Sequence, residues 1–272
     1  MTPDRTLPRL SFALLALAAA ILLVRGLGDT TGLLIAGSVA MFACCASSAV
    51  HVLGARAALR FMLIALVLGW AAEELGSRYG WFFGSYTYTG VLGPRIGSVP
   101  FVIPLMWFAL TYIGYVIANL IVWQVPSDGA GPLGQTLVQS LLAAMIVTAY
   151  DLGADPYMVF KLKAWIMTKT DGGWFGETLQ GFAGWMFVSF LIVVLFRLGL
   201  KQQPAAASAP IAPRDIAVPL AIYGGNLLFQ ALLGVPVETR AIAIFAMGIP
   251  LLAALCGWSR WRASSAAVTG VA

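Results

Sequence analysis

Charged residues are scarce in this sequence, and their scarcity excludes several classes of protein. Only 10% of the 272 residues are charged, whereas soluble domains carry about 25%. So few charges cannot cover a water-exposed surface, which excludes a soluble enzyme, a DNA-binding domain and a disordered chain. The sixteen Lys and Arg against eleven Asp and Glu give a formal net charge of +5. We interpret this excess as basic residues that flank membrane spans, not as a surface that binds nucleic acid.

Cysteine and histidine are scarce too, with three Cys and one His in the chain. Cys44 and Cys45 are adjacent in an apolar run, where neighbouring helical side chains point about 100° apart. Because no C-x-x-C pair or nearby histidine accompanies them, we predict that these cysteines and Cys256 are small buried side chains and not metal ligands. No Ser-His-Asp set, phosphate loop or dinucleotide fingerprint is present either. The sequence therefore predicts neither a metal site nor a cofactor.

Hydrophobic residues make up 60% of the chain, and the mean hydropathy is +0.89. A membrane span needs about 20 consecutive apolar residues, and the longest connections between apolar runs are too short for a soluble domain. We predict an all-α, polytopic transmembrane bundle in one integral membrane domain, residues 1–272. No cleavage site follows the first run, so it is interpreted as a retained span. The predicted spans are 8–24, 32–54, 57–75, 100–124, 133–155, 181–200, 216–235 and 240–257.

The alternation of eight spans places the termini and the even-numbered connections on one face. That face carries nine of the sixteen Lys and Arg residues, which favours cytoplasmic termini and a location in the cell's inner membrane. The same alternation places the long connections 76–99 and 156–180 together on the other face. Both are rich in aromatic residues and glycine, and we expect them to fold back as a lid or re-entrant layer. An aromatic belt at the lipid headgroups is the alternative.

Four acidic residues close two of the predicted spans on that same face. Glu73 and Glu74 end the third span, and Asp151 and Asp155, four residues apart on one helical face, end the fifth. Ionisable groups within spans are expensive and indicate function by default. A carboxyl group that is desolvated among aromatic rings can stay protonated near neutral pH and donate its proton. The structural alternative is an interface ion pair between Glu74 and Arg78.

Two blocks of residues, at about 70–110 and 150–186, carry the most specific pattern. The first consists of Glu74-Leu75-Gly76, Gly80, Phe83-Gly84-x-Tyr86-x-Tyr88-Thr89, Leu92-Gly93-Pro94, Val99-Pro100 and Trp107. The second consists of Asp151-Leu152, Asp155-Pro156-x-Met158-Val159, Trp165, Gly173, Phe175-Gly176 and Phe182-x-Gly184-Trp185. In this order the blocks resemble the bacterial and archaeal carotenoid biosynthesis membrane family, which includes carotenoid 1,2-hydratases of the gamma-carotene and bisanhydrobacterioruberin hydratase type. The chain departs from the family pattern at Tyr150, Glu177, Thr178 and Gly181.

The resemblance implies a cofactor-independent hydro-lyase that adds water to a terminal C=C of an acyclic carotenoid, giving a tertiary alcohol. Its partners would be a hydrophobic carotenoid and membrane lipid. We predict that Glu74 is the acid, that Asp151 and Asp155 orient and deprotonate water, and that Glu73 is a further catalytic carboxyl. The residues expected to bind the substrate are Tyr86, Tyr88, Trp107, Trp165, Arg95 and Trp185.

Three other functions fit parts of the pattern. A carotenoid cyclase would use the same protonation but exclude water. A magnesium-dependent prenyltransferase would use Asp151 and Asp155 as one aspartate motif, yet it needs a second such motif that the chain does not show. A transporter or lipid-binding scaffold would need a polar path across the bilayer, whereas the charges here gather at one face.

Overall fold

The described residues form eight long helices in a computed structural model that covers residues 5–127, 131–168, 174–175, 178–202, 207 and 211–269. All eight are long and apolar enough to cross a membrane, with mean hydropathies of 1.5 to 2.2 over their apolar windows. The predicted helical bundle with eight spans is therefore confirmed. In chain order the helices are α1 (Thr6–Arg25), α2 (Thr31–Leu53), α3 (Ala55–Tyr79), α4 (Val102–Val122), α5 (Leu133–Pro156), α6 (Leu179–Gln202), α7 (Ala217–Leu233) and α8 (Glu238–Thr269).

Helix α4 occupies the centre of the bundle. Its sequence is apolar on every side, as expected of a helix surrounded by protein, and it contacts α2, α3, α5, α6, α7 and α8. Two glycines permit close packing: a Cβ at Gly114 would lie 2.8 Å from the Ala143 carbonyl oxygen of α5, and a Cβ at Gly257 of α8 would overlap the Leu120 carbonyl oxygen. Helix α1, in contrast, packs mainly on α2 and α7. It therefore lies at the periphery.

Helix α3 continues four residues beyond its predicted end at residue 75. It stops at Gly80, which adopts a left-handed conformation with φ +71° and donates its N–H to the Gly76 carbonyl oxygen. Glycine is the residue that adopts this conformation without a steric cost, and it commonly ends helices in this way. As a result Glu73 and Glu74 lie within the last two turns of a continuous helix.

The connections after α3 and α5 meet at one end of the bundle, as the alternation of spans predicts. Strand β1 (Tyr86–Tyr88) pairs antiparallel with strand β4 (Trp165–Met167), with Tyr88 opposite Trp165. Strands β2 (Arg95–Ile96) and β3 (Val99–Pro100) form a second, smaller hairpin in the first connection. That the connections form a lid or re-entrant layer stays a prediction. The residues of the second connection that lie outside the described residues include Gly172, Gly173, Gly176 and Glu177.

At the opposite end of the bundle, buried polar residues join helices to each other. Asp215, which precedes α7, forms an ion pair with Arg5 at 3.0 Å and a hydrogen bond with His51 Nε2 at 3.0 Å. Of the three cysteines, Cys44 and Cys45 are buried as predicted. Cys256 lies on an exposed face of α8, so the prediction of burial was wrong there, because none of the residues that the structure describes covers this face of the apolar helix.

Candidate active site

Two adjoining cavities lie at the end of the bundle where β1 pairs with β4. The outer cavity, bounded by α1, α2, α4, α5 and α7, has a volume of about 1100 Å³, including the part open to the outside. The inner chamber, bounded by α3, α4, α6 and the β1–β4 pair, has a volume of about 480 Å³ measured in the same way. The two cavities adjoin, because they share the wall residues Ile103, Met106, Asp155, Trp165 and Trp185.

The carboxyl group of Glu73 lines the inner chamber and accepts three hydrogen bonds. Its Oε2 accepts from the hydroxyls of Tyr86 at 2.5 Å and Tyr88 at 2.8 Å, and its Oε1 accepts from the indole Nε1 of Trp107 at 3.0 Å. The side chain is buried, with 4% of the residue exposed. A carboxylate offers about four lone-pair positions, so one position on Oε1 remains for a proton or a ligand.

Local sequence explains how these three donors reach Glu73. Side chains alternate along β1, so Tyr86 and Tyr88 both point inward whereas Thr87 is exposed. On α3, Gly69 lies about one turn before Glu73, and a Cβ there would lie 2.6 Å from Trp107 Cγ. A residue with a side chain at position 69 would push the indole away. The glycine therefore sets the distance between Trp107 and α3.

The two tyrosine hydroxyls of β1 are held in their protonated form. Burial, followed by the nearby negative charge of Glu73, raises the pKa of Tyr86 and of Tyr88 well above the usual value of 10.0. A phenol that stays neutral keeps its O–H as a donor. The Glu73 carboxyl therefore faces two permanent donors over the physiological pH range.

Glu74, the predicted acid, lies outside both cavities. Its Oε1 pairs with Arg78 Nε at 2.5 Å, and its Oε2 accepts from the backbone N of Ser98 at 2.8 Å and from the Ser98 Oγ at 2.7 Å. The carboxylate also lies against Gly97, whose φ of +68° belongs to the turn between β2 and β3. Glu74 thus joins the end of α3 to the β2–β3 hairpin.

Asp151 and Asp155 lie in the last turns of α5 and face the cavities as the helical spacing predicts. Asp155 is 7% exposed and lies where the inner chamber meets the outer cavity. Asp151 is 2% exposed and lines the outer cavity but not the inner chamber. Together with Glu73 they bring three carboxyl groups to the walls of the two adjoining cavities. Among the described residues, no three His, Cys, Asp or Glu side chains come together as metal ligands would.

Aromatic rings form most of the remaining wall of the inner chamber. Trp107 and Trp185 stack with ring centroids 4.3 Å apart, and Trp165 contacts the Tyr88 ring edge-on at 5.9 Å. Five of the six predicted substrate-binding residues therefore line the chamber. Arg95 does not, because its guanidinium donates to the carbonyl oxygens of Tyr88 and Thr89.

Sequence reasoning missed several residues that the structure places at the cavities. Phe83 lines the inner chamber, and Arg25 and Tyr150 line the outer cavity. In the sequence, Arg25 is one of the basic residues that flank membrane spans. A signal was available in its spacing, because Asp29 follows four residues later and the two side chains form an ion pair at 2.6 Å.

The profile of a protein family described as "Carotenoid biosynthesis protein" matches residues 30–255 of this chain. The chain belongs to this carotenoid biosynthesis family. The matched range contains all four predicted catalytic carboxyl groups, whereas the whole of α1 precedes it. The resemblance inferred from the two residue blocks is therefore confirmed.

One relative in the family carries a more specific name. The chain is 30% identical over 174 residues to the bisanhydrobacterioruberin hydratase of Haloarcula japonica, and the alignment covers 61% of this chain and 55% of that protein. The chain thus spans about half the length of the relative. No solved structure matches the chain.

Proposed function

We propose that this protein hydrates the terminal isopropylidene double bond of an acyclic carotenoid end group. The observation that carries the proposal is the Glu73 carboxyl, held by three hydrogen-bond donors in an aromatic chamber that adjoins a large apolar cavity. The name of the Haloarcula japonica relative supports the same reaction class. The apolar helices and the family support a hydrophobic substrate that reaches the site from the membrane.

Glu73 is the acid in this proposal. An alkene has no leaving group and no acidic proton, so the reaction begins with proton transfer to the less substituted carbon. The Glu73 O–H bond breaks, a C–H bond forms from the π electrons, and a tertiary cation remains. Hydrogen bonds from Tyr86, Tyr88 and Trp107 stabilise the carboxylate that is left behind when the proton has been transferred. Burial keeps bulk water from taking the proton first.

Glu73 replaces Glu74, the acid favoured by the sequence, for a geometric reason. The Glu74 carboxylate is occupied by Arg78 and Ser98 and does not line the chamber. A catalytic acid must come within hydrogen-bond distance of the atom that it protonates. We therefore assign Glu74 to the anchoring of the β2–β3 hairpin.

The cation is stabilised by rings and captured by water. Trp107, Trp165 and Trp185 present indole faces or edges to the chamber, and an indole face is the strongest aromatic partner for a cation. Asp155, at the junction of chamber and cavity, orients a water molecule and takes its proton as the C–O bond forms. Asp151, one turn earlier, continues the polar wall into the outer cavity. The proton then returns to Glu73, so that the net reaction consumes one alkene and one water.

The outer cavity holds the rest of the carotenoid chain. Its wall on α1 runs from Leu15 to Arg25, which is roughly 15 Å of helix. Much of the wall consists of small side chains, which leave room for a rigid polyene. These small residues are Ala18, Ala19, Gly37, Ala221 and Gly225.

Expression in a lycopene-producing host tests the proposed reaction. A pigment whose mass is increased by one water, and which incorporates the label when the cells grow in ¹⁸O-enriched water, supports hydration. A pigment of unchanged mass with a new ring supports a cyclase and contradicts hydration. An unaltered pigment profile, with the protein present in the membrane, contradicts both reactions. The same host without the gene is the control.

A further inference from the structure

Arg25 occupies an unusual position at the end of the outer cavity. It is the last residue of α1, and its side chain lines the cavity with 15% of its surface exposed. Asp29 fixes the guanidinium through its Nε at 2.6 Å, and Tyr157, just after α5, donates its hydroxyl to the other Asp29 oxygen at 2.6 Å. The guanidinium also lies over the Phe229 ring at 5.2 Å. Three elements therefore hold this cation in one place.

Most of the donors on Arg25 point to no protein acceptor. A guanidinium has five N–H groups, and the ion pair with Asp29 uses only the Nε. Among the residues that the structure describes, none accepts a hydrogen bond from its two Nη groups. The two Nη groups are not among the buried polar atoms that lack a partner, so a ligand in the cavity can reach them. An oxygen ligand of small size is the natural partner, and water is the oxygen ligand that a hydration reaction consumes.

We infer that Arg25 is a positioning residue that holds and admits the water used in hydration. This inference rests on the proposed function. By the alternation of spans, Arg25 lies at the same membrane face as Asp151 and Asp155, and Tyr150 completes the polar part of the wall between these elements. Water bound at Arg25 is passed along this wall to Asp155, where it meets the cation. The matched family range begins at residue 30. Arg25 and its partner Asp29 therefore lie outside that range, whereas Asp151 and Asp155 lie within it.

The fate of the cation gives a readout that separates this role from a merely structural one. When water arrives, a C–O bond forms and the alcohol leaves. When no water reaches the cation, the cation returns a proton to the Glu73 carboxylate and the alkene is restored. In D₂O the acid delivers a deuteron, so each failed attempt can leave deuterium in the recovered substrate. The ratio of deuterated substrate to hydrated product therefore measures how well water is supplied, independently of the amount of enzyme.

The experiment uses the full chain in membranes with an acyclic carotenoid in D₂O, and mass spectrometry of substrate and product. Arg25→Met should raise the ratio about tenfold, the effect of one charge-assisted hydrogen bond. Because this variant leaves Asp29 buried without its cation, the double variant R25M/D29N is measured too, and it should give the same rise. Arg56→Met, the same change at an exposed arginine at the other end of the bundle, should leave the ratio unchanged.

The possible outcomes distinguish this inference from the function on which it rests. If the wild type neither hydrates the substrate nor incorporates deuterium, the proposed function fails and the inference with it. If the wild type hydrates, but both Arg25 variants keep the wild-type ratio, only the role of Arg25 is overturned. A rise in both Arg25 variants, together with partial restoration in Arg25→Lys, supports it, because lysine keeps a donor and a charge at the site.

Discussion

Replacing Glu73 by glutamine removes the proton donor and leaves the shape of the chamber intact. Glutamine can keep its carbonyl oxygen on the indole N–H of Trp107 and turn its NH₂ group toward Tyr86 and Tyr88. The two tyrosine hydroxyls can then accept instead of donate, because a phenol oxygen does both. The structural cost is that of rearranged hydrogen bonds, about 1–3 kcal/mol. The variant should therefore still fold in the membrane.

The chemical cost of Glu73→Gln is far larger than the structural one. A positioned general acid contributes about 10²–10⁴-fold to a rate, and an alkene offers no other way to begin the reaction. Hydrated product should therefore fall at least about a thousandfold, measured by pigment mass spectrometry at equal amounts of membrane-bound protein. Loss of the variant protein from the membrane fraction would show that Glu73 is needed for folding and would contradict a purely chemical role.

Glu74→Gln is the matched control, because it makes the same change at the adjacent residue. The amide oxygen can still accept from Ser98, and the lost ion pair with Arg78 is partly exposed, so the stability cost is about 1 kcal/mol or less. This variant should keep its activity within about tenfold. An inactive Glu74→Gln beside an active Glu73→Gln would refute the assignment and restore the one favoured by the sequence.

Three further variants probe the chamber and the cavity. Tyr88→Phe removes one donor to the Glu73 carboxylate. In steady-state kinetics it should lower kcat about tenfold to a hundredfold with little change in KM. A kcat equal to that of the wild type would contradict the role of Tyr88 in stabilising the Glu73 carboxylate. Gly69→Ala places a Cβ 2.6 Å from Trp107 and should lower both the melting temperature and the activity; an unchanged melting temperature would show that the indole moves freely. Gly225→Leu fills the outer cavity and should raise KM more than it lowers kcat; an unchanged KM would place the polyene elsewhere.

The fold was predictable because a bilayer imposes a strong rule on sequence. Each span needs about 20 apolar residues, and the eight apolar runs correspond to eight helices. The helix ends were less predictable, since α3 ends where Gly80 turns left-handed and not where hydropathy falls. The pairing of β1 with β4 was not predicted, because strands of three residues leave no periodic pattern that distinguishes them from loops.

The sequence predicted most of the residues that line the cavities, but it did not predict which chemical role each residue has in the proposed reaction. The alternation of spans and the four-residue spacing predict Glu73, Asp151 and Asp155 at one face, and in the structure these three side chains line the two adjoining cavities. The sequence could not show which of two adjacent glutamates turns inward, because that depends on the rotation of α3 about its axis. Tertiary packing sets this rotation, and Gly69 against Trp107 is one of its contacts.

Glu73 and Glu74 have different surroundings because they are adjacent residues on α3. Neighbouring helical side chains diverge by about 100°, so one carboxyl enters the chamber while the other reaches the β2–β3 hairpin. Glu74 inside the chamber would add a third carboxyl to Glu73 and Asp155, and like charges repel each other when ionised. In its present position Glu73 meets only neutral donors, the hydroxyls of Tyr86 and Tyr88 and the indole of Trp107. The outer carboxyl still supports the inner one, since Glu74 holds Ser98 of the hairpin and Arg95 of the same hairpin holds the Tyr88 carbonyl oxygen. In the structure, Glu74 and Arg95 thus contact the backbone of the segment that presents the tyrosine donors to Glu73; that either acts on the substrate stays a prediction.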